Sequence, residues 1–499
     1  MDQTSNNMLH QARDRAYQYN RIVFWLNGER RSAEIAPAQT TLEFLQQDLH
    51  LYGTKCSCNE GDCGACTVTV ASPREGRVVY EAVNSCLYNA AKLHGKHLIT
   101  VEGLGTPAIL HPIQKAMLNF HATQCGYCSP GFVMSLFALL ATLERPNEED
   151  ILAALEGNLC RCTGYDSILK AARHLAQTTS GEDIVPQSFR AIEPLLLDFS
   201  DAPASEEKKG VPLRHCERYQ TPSNLDELSE ILREEPDAVF INGGTDIMVQ
   251  MNVQRRQYRI LIDLSSIAGL DAIASSPEGI RIGANCTYSQ ILAAPAVKAD
   301  LPYLSDLIEN IASQQIRNFA TLAGNVANAS PIGDTLPLLL VLGASLVLFS
   351  ADGESKIPLR EFFLDYRKTA LRQDEIIKEI IIPIPPKGEF VSWQKAAKRK
   401  AVDISSVVSA IRLKEENGVI KTAELACGGV AVVPKLSMKF YKAMLNMELQ
   451  GLHPQEISEY VASEFSPISD VRGSDQYRTQ LLQNHVLTYL QDFLQGRGA

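Results

Sequence analysis

Cys58-Asn59-Glu60-Gly61-Asp62-Cys63-Gly64-Ala65-Cys66 is the stretch on which the reading of this chain turns. Its three cysteines fall at C-x4-C-x2-C, and Cys86 can close the set as a fourth. That is the spacing of a plant-type 2Fe–2S site. Such a loop wraps tightly round an anionic group, so its glycines are expected to supply positive φ angles and a close backbone approach. Its short residues leave backbone N–H groups free to point at sulfur. Cys56 is an alternative ligand, but only Cys58 leaves the four-residue gap to Cys63.

Working outward, Arg21–Trp25 and Ser32–Ile35 read as strands joined by an Asn27-Gly28 turn, a strong hairpin signal. Thr40 to Leu45 starts a helix with a polar cap and an acidic first turn. Cys66–Val70 and Val78–Val83 return as strands. These elements predict a small α+β domain of β-grasp, ferredoxin-like form over 21–102, preceded by a loose polar tail, 1–20. The tail has no apolar run of the kind a signal peptide carries.

From Gly103 the character changes to helices: Pro112–Phe120, Gly131–Leu143, one capped by Asn147, and one starting at Asp166. This predicts a four-helix domain over 103–179. Cys125-Gly126-Tyr127-Cys128 and Cys160-Arg161-Cys162 each precede a helix, whose N-terminal end favours negative charge. Four thiolates in this pattern would equally suit a structural zinc ion. Beside a ferredoxin-type loop, a second 2Fe–2S centre is the preferred reading, because two redox centres close in sequence make a relay. A thioredoxin-like role lacks its βαβ context.

The chain has 499 residues, room for roughly two to four domains. Hydrophobic content of 45% and charged content of 21% are those of an ordinary globular protein. A net charge of −11 without a long basic run argues against nucleic acid as a partner. No apolar stretch reaches the ~18 residues of a membrane span, so no membrane partner is expected. Nine of the twelve cysteines lie between Cys56 and Cys162. Clustering of that kind reads as metal binding in a reducing, cytoplasmic setting and not as a disulfide framework.

Residues 180–212, rich in Ser, Pro, Glu and Asp, read as a linker to a second half. There, Pro222–Leu228 is a capped helix start, Ala238–Ile241 a buried strand, and Asn242-Gly243-Gly244-Thr245-Asp246 a tight turn able to present N–H groups to a pyrophosphate. An ordinary strand-to-helix turn is the bland alternative. A second loop, Thr321 to Asp334, is dense in small and hydrogen-bonding residues. Two such loops can hold a dinucleotide without a Rossmann fold. Gly103-Leu104-Gly105-Thr106-Pro107-Ala108 matches G-x-G-x-x-A but has neither a βαβ unit nor the acidic residue ~20 positions on, so it is set aside. From Gly388 short strands (Ile404–Ile411, Thr422–Ala426, Val430–Val433) alternate with helices (Pro454–Phe465, Tyr477–Leu494). Lys395, Lys398, Arg399 and Asp403 read as a solvated face, with proximity to a flavin or an electron acceptor as the minority reading.

Gln124 to Gly131, Gly157 to Tyr165 and the first cysteine loop together resemble the two iron–sulfur domains of the xanthine oxidase family of molybdenum hydroxylases. Gly243 to Asp246, Ala323 to Asp334 and Tyr366-Arg367-Lys368-Thr369 resemble that family's FAD domain. The resemblance implies a multidomain α+β chain with a two-part FAD-binding domain of PCMH type over 213–387 and a C-terminal α+β domain over 388–499. It implies one 2Fe–2S cluster on Cys58, Cys63, Cys66 and Cys86, and another on Cys125, Cys128, Cys160 and Cys162. FAD would lie against Phe240, Ile241, Asn242, Gly243, Gly244, Thr245, Asp246 and Ile247, helped by Thr321, Gly324, Asn325, Asn328, Ser330 and Asp334. Ile377 and Lys395 match positions near the flavin ring, and Ile311 stands where some relatives carry an aromatic residue. The layout implies the small subunit of a two-subunit xanthine dehydrogenase. Its large partner would hold the molybdenum cofactor, its electron acceptor would be NAD+, and the assembly would be a heterotetramer. No catalytic acid, base or nucleophile is expected on this chain.

Overall fold

The computed structural model describes residues 16–209 and 216–496. They divide into two compact units. One holds the described residues up to 222 together with 237–264 and 312–319; the other holds 223–236, 265–311 and 320–496.

In the first unit, β1 (Ala16–Leu26) and β2 (Glu29–Ile35) form the expected hairpin. Asn27 and Gly28 both have positive φ, 50° and 97°, the geometry a two-residue hairpin turn demands. β3 (Thr67–Arg74) and β4 (Arg77–Asn84) pair antiparallel, and β5 (His97–Ile99) inserts between β1 and β3, parallel to β1. The order β2-β1-β5-β3-β4 is a β-grasp sheet. Its inner face buries Phe24, Val68, Val70 and Leu98 against Leu42, Phe44 and Leu45. Each such side chain contributes about 2 kcal/mol on burial. Thr40 and Glu43 close a reciprocal capping box, as the sequence suggested. The helix they start soon widens: the Leu49 N–H reaches back five residues to Phe44 O.

The tail and the linker depart from their readings. Residues 1–15 and 210–212 lie outside the described residues, but Ala16–Arg21 is strand, paired with β6 (Ala204–Lys209). Three short helices, Gly181–Ile184, Gln187–Arg190 and Glu193–Leu197, occupy the stretch read as linker. Ile184, Val185, Phe189, Ile192 and Leu196 drop from them into the core, so the apolar spacing outweighed the polar composition.

The helical part comprises α1 (Pro112–Asn119), α2 (Ser129–Thr142), α3 (Glu148–Leu155) and α4 (Asp166–Thr178). α2 is apolar almost all round and packs on β3 and β4 on one side and α3 on the other. The same unit contains a small parallel sheet, β7 (Arg218–Gln220), β8 (Val239–Ile241) and β9 (Ile260–Asp263), in the order β7-β9-β8. It also contains α5 (Ile247–Asn252) and α6 (Gln314–Arg317).

In the second unit Asn224 caps the helix Leu225–Glu234. An antiparallel sheet runs β10 (Ile273–Ser276), β11 (Gly279–Gly283), the later strand Ile376–Ile382, then β12 (Ser345–Ser350) and β13 (Gly353–Pro358). α7 (Leu322–Asn328) and α8 (Thr335–Val341) precede β12. The final sheet orders Phe390–Ala396, Val407–Glu416, Val419–Gly428 and Lys435–Leu436 antiparallel, with α9 (Pro454–Ala462) and α10 (Asp475–Leu494) closing one core. Val430–Val433, read as a strand, is a turn. Gly429 (φ 82°) and Pro434 bracket it, and the Gly429 N–H is taken by Pro331 O.

Candidate metal centres and flavin site

All eight expected cysteines are free thiols of the first unit, and they fall into four pairs: Cys58 with Cys63, Cys66 with Cys86, Cys125 with Cys162, and Cys128 with Cys160. A two-iron cluster takes two terminal thiolates on each iron, so sulfurs in twos are the donor set it needs. A lone zinc ion needs four thiolates converging on one point. The residues present therefore fit two iron–sulfur clusters.

The first site sits at the end of the β-grasp sheet. Gly61 and Gly64 carry the positive φ the loop requires, 89° and 66°. A Cβ on Gly64 would stand 2.3 Å from Gly157 O, so only glycine permits the approach. The Cys63 thiol, helped by the N–H groups of Glu60, Cys63 and Asp62, pulls the Cys58 thiol down to about 5. Cys86, with the Asn84 amide at 3.9 Å, lowers Cys66 in the same way. Cys66 and Cys86 are 3% and 1% exposed, so this half of the site is shut off from water. Cys56 belongs to none of the four pairs. Burial raises its thiol, and its carbonyl accepts from the Tyr127 hydroxyl.

The second site is built on helix starts. Cys128 is the cap residue of α2, and Cys160 and Cys162 precede α4. Burial pushes the Cys128 thiol up to about 12. Burial acts the same way on Cys160, but the hydroxyl and N–H of Thr163 and the N–H of Cys162 outweigh it, and the thiol falls below its usual value. Cys125 and Cys162, with sulfurs 3.7 Å apart, are exposed. The sequence alone does not single out Asn84, Thr163 and Tyr127 as partners; each is a near neighbour of an expected ligand cysteine, which is the available signal.

Of the residues expected around the flavin, Phe240 and Ile241 end β8, and Gly244 turns the chain with φ 83° into α5. The Asn242 carbonyl accepts from Lys92, whose ammonium also pairs with buried Asp263 at 3.4 Å. These lie in the first unit. In the second, Thr321 caps α7 by accepting from the Gly324 N–H at 3.1 Å, and Asn325 accepts from Thr335 Oγ1 at 2.7 Å. The side chain of Lys395 is largely shielded: its Nζ bonds Asp334 Oδ2 at 2.8 Å and Asn310 O at 2.9 Å, next to Ile311. Reading Lys395, Lys398, Arg399 and Asp403 as one solvated face therefore holds only in part. Lys398 and Arg399 are exposed on a turn, whereas Lys395 joins Asp334, one of the residues expected around the flavin. Ile377 is buried on the strand Ile376–Ile382. Arg367 of the Tyr366–Thr369 segment reaches Asn328 Oδ1 at 3.3 Å.

The arrangement defines an iron–sulfur flavoprotein. Family models for a 2Fe–2S cluster-binding domain (residues 24–90), a second 2Fe–2S binding domain (100–173), the FAD-binding domain in molybdopterin dehydrogenase (214–385) and the CO dehydrogenase flavoprotein C-terminal domain (393–493) match in that order. The chain is 33% identical to the xanthine dehydrogenase/oxidase of Rattus norvegicus, over 96% of its own length and 39% of the relative's. Aldehyde oxidase 2 of Macaca fascicularis is 31% identical over 95% of this chain and 39% of that one. The chain thus spans about two fifths of the length of these relatives. Among solved structures, a Cu,Mo-CO dehydrogenase is 26% identical with a TM-score of 0.52, matching 55% of this chain and 96% of that one. Quinoline 2-oxidoreductase from Pseudomonas putida 86 is 25% identical with a TM-score of 0.52, matching 56% of this chain and 97% of that one. The chain belongs to the molybdenum hydroxylase family, as its iron–sulfur and FAD-binding part. Its cofactors are two 2Fe–2S clusters and FAD.

Proposed function

We propose that the chain is the electron-transfer subunit of a molybdenum-dependent xanthine dehydrogenase. It would receive electrons from purine hydroxylation at the molybdenum centre of a large partner subunit and deliver them to NAD+. The observation that carries this reading is the set of four thiol pairs within one compact unit, in a chain that also carries an FAD-binding domain. When bound, the clusters pass electrons singly and FAD gathers two for hydride transfer. The chain's own residues hold, tune and insulate. Cys58, Cys63, Cys66 and Cys86 would bind one cluster, and Cys125, Cys128, Cys160 and Cys162 the other. The N–H groups around Cys58 and Cys160 favour negative charge on sulfur.

Phe240 to Ile247 would hold the FAD pyrophosphate, and Thr321, Gly324, Asn325, Asn328, Ser330 and Asp334 would supply further polar contacts. Lys395, Ile311 and Ile377 would stand near the flavin ring, where Ile311 offers no aromatic stacking. Domain boundaries at 102, 179, 212 and 387, a heterotetrameric assembly and a cytoplasmic setting belong to the same proposal. Among the described residues no helix is long and apolar enough to cross a membrane. A second reading, the equivalent subunit of another molybdenum hydroxylase, draws support from the aldehyde oxidase, CO dehydrogenase and quinoline oxidoreductase likenesses.

Purification with native partners, followed by iron, flavin and molybdenum analysis and parallel assays on xanthine/NAD+, aldehydes and N-heterocycles, separates the two readings. Turnover of xanthine with NAD+ supports the first. Turnover of an aldehyde or another heterocycle alone replaces it with the second. Zinc in place of iron sinks both.

A further inference from the structure

We propose that Asn158 is a positioning residue that fixes the two cluster sites to one another, and that the peptide following it carries the bonded path between them. This rests on the reading of both cysteine sets as cluster ligands. Asn158 lies between α3 and the Cys160–Cys162 loop and is 2% exposed. Its Nδ2 donates to Gly64 O at 3.1 Å, in the loop that carries Cys63 and Cys66. Its Oδ1 accepts from Ser135 Oγ on α2 at 2.7 Å and from Gln315 Nε2 on α6 at 3.1 Å. One side chain is thereby held by two elements and itself holds a third.

The next residue completes the link. The Leu159 N–H donates to Cys63 O at 2.9 Å. Cys63 belongs to one ligand set and Cys160, the following residue, to the other. From sulfur to sulfur the path runs along Cys63 to its carbonyl, across one hydrogen bond, and through Leu159 and Cys160. The alternative route, from Cys128 through the Tyr127 ring to the Cys56 carbonyl, is longer by an aromatic side chain and by Ser57, which lies between Cys56 and Cys58. One electron crossing this path leaves one cluster oxidised by one and the other reduced by one; no proton moves.

The chemistry requires an amide. A carboxamide donates and accepts at once, so it can face the Gly64 carbonyl with nitrogen and the Ser135 and Gln315 donors with oxygen. A carboxylate would set oxygen against the Gly64 carbonyl. The glycines around it fit the same role: a Cβ on Gly131 would stand 2.3 Å from Gly64 O, and one on Gly157 would stand 2.1 Å from Gln315 Oε1.

The test uses the full chain with both clusters loaded, iron content and visible absorption being measured first. Asn158→Ala is expected to keep its iron, to lose or narrow the magnetic splitting between the two clusters in the fully reduced protein, and to slow electron redistribution between them several-fold. Asn158→Asp is expected to behave the same way. Iron-replete Asn158→Ala with wild-type splitting and wild-type redistribution overturns the proposal. Should Asn158→Ala lose iron, Ser135→Ala decides: it removes one anchor of Oδ1 and spares the bond to Gly64. Narrowed splitting in Ser135→Ala sustains the proposal, and unchanged splitting overturns it. Wild-type protein without iron would instead overturn the cluster reading on which this stands.

Discussion

The two cysteine sites use the same donors and are built by opposite means. The first is wrapped: one loop supplies three thiols, the hairpin β3–β4 delivers Cys86 from behind, and the inner pair is sealed from water. The second is assembled from the starts of two helices, and its outer pair, Cys125 and Cys162, stays exposed. A wrapped site makes its ligands part of the core. A site on helix ends keeps its outer pair, Cys125 and Cys162, at the margin, while Cys160 is buried in the helical core with Cys128 packed against it. The inner pair of the first site is therefore expected to be coupled to folding more tightly than the outer pair of the second.

The sharpest way to break that contrast is to remove one ligand from each. Cys86→Ser should lose half the iron and also lower the melting temperature of the metal-free protein, because it puts a hydroxyl into the fully enclosed core at the loop base. A buried hydroxyl without a matching partner costs about 1–3 kcal/mol. Cys162→Ser should lose the other half of the iron and leave the metal-free melting temperature unchanged. Equal melting in the two variants would show that both sites are equally independent of the core. Iron per chain and scanning calorimetry of the stripped protein give the two readouts.

Glycine substitutions come next. Gly64→Ala adds a Cβ 2.3 Å from a backbone oxygen at φ 66°, so sterics and strain act together and the fold should lose about 3 kcal/mol or more. Gly126→Ala has a similar φ of 81° but nothing nearer than 3.9 Å, so only the left-handed conformation costs, about 1–2 kcal/mol. Denaturant melts of the two variants measure the difference directly.

These differences also explain how much could be read from the sequence. The ligand spacing, the Asn27-Gly28 hairpin, the Thr40 and Asn147 caps and the helix starts at Pro112 and Asp166 are local signals, legible because each element is fixed within a few residues. What escaped was long-range. Gln315, fully buried, bonds Ser135 and Asn158 across more than 150 residues of sequence, and nothing near Gln315 announces a partner. Arg317 likewise pairs with Glu156 at 2.8 Å. β6 reads as linker because its outer face is charged: Lys208 meets Glu34 at 2.6 Å on the sheet edge. Lys395 reads as one of a run of exposed charges because sequence proximity cannot show that Asp334, 61 residues away, draws it inward.

A milder probe is acid. His97, in the β-grasp part, accepts from the Gly28 N–H through Nε2, and its Nδ1 lies buried without a partner. Burial lowers it to about 4. His111, in the helical part, is also lowered by burial, but Ile184 O faces its Nε2 at 2.7 Å and favours the proton. A histidine whose folded value is depressed stabilises the fold above the unfolded value near 6.5. That contribution is lost as pH falls toward the folded value, because the unfolded chain takes the proton first. For His97 the loss between about pH 6.5 and 4 amounts to about 3 kcal/mol. His97→Gln should flatten the acid branch of the stability curve more than His111→Gln does. Equal flattening would mean that the two parts respond to acid alike.

The smallest effect tests whether the helical site needs its surface. Arg173 on α4 bonds both carboxylate oxygens of Glu148 on α3, at 2.8 and 2.6 Å, and ties together the helices that flank the Cys160–Cys162 loop. Both side chains are open to water, where the charges are screened and holding them in one geometry costs entropy. The helices are held instead by Ile151, Leu155, Ile168 and Leu175 in a shared core. Arg173→Ala should therefore leave iron content, melting temperature and the spectrum of the second cluster unchanged, while Ile168→Ala should destabilise by about 2–5 kcal/mol. If Arg173→Ala alone released iron from the second site, that site would depend on its surface after all, and the contrast with the wrapped site would rest on side-chain pairs and not on the core.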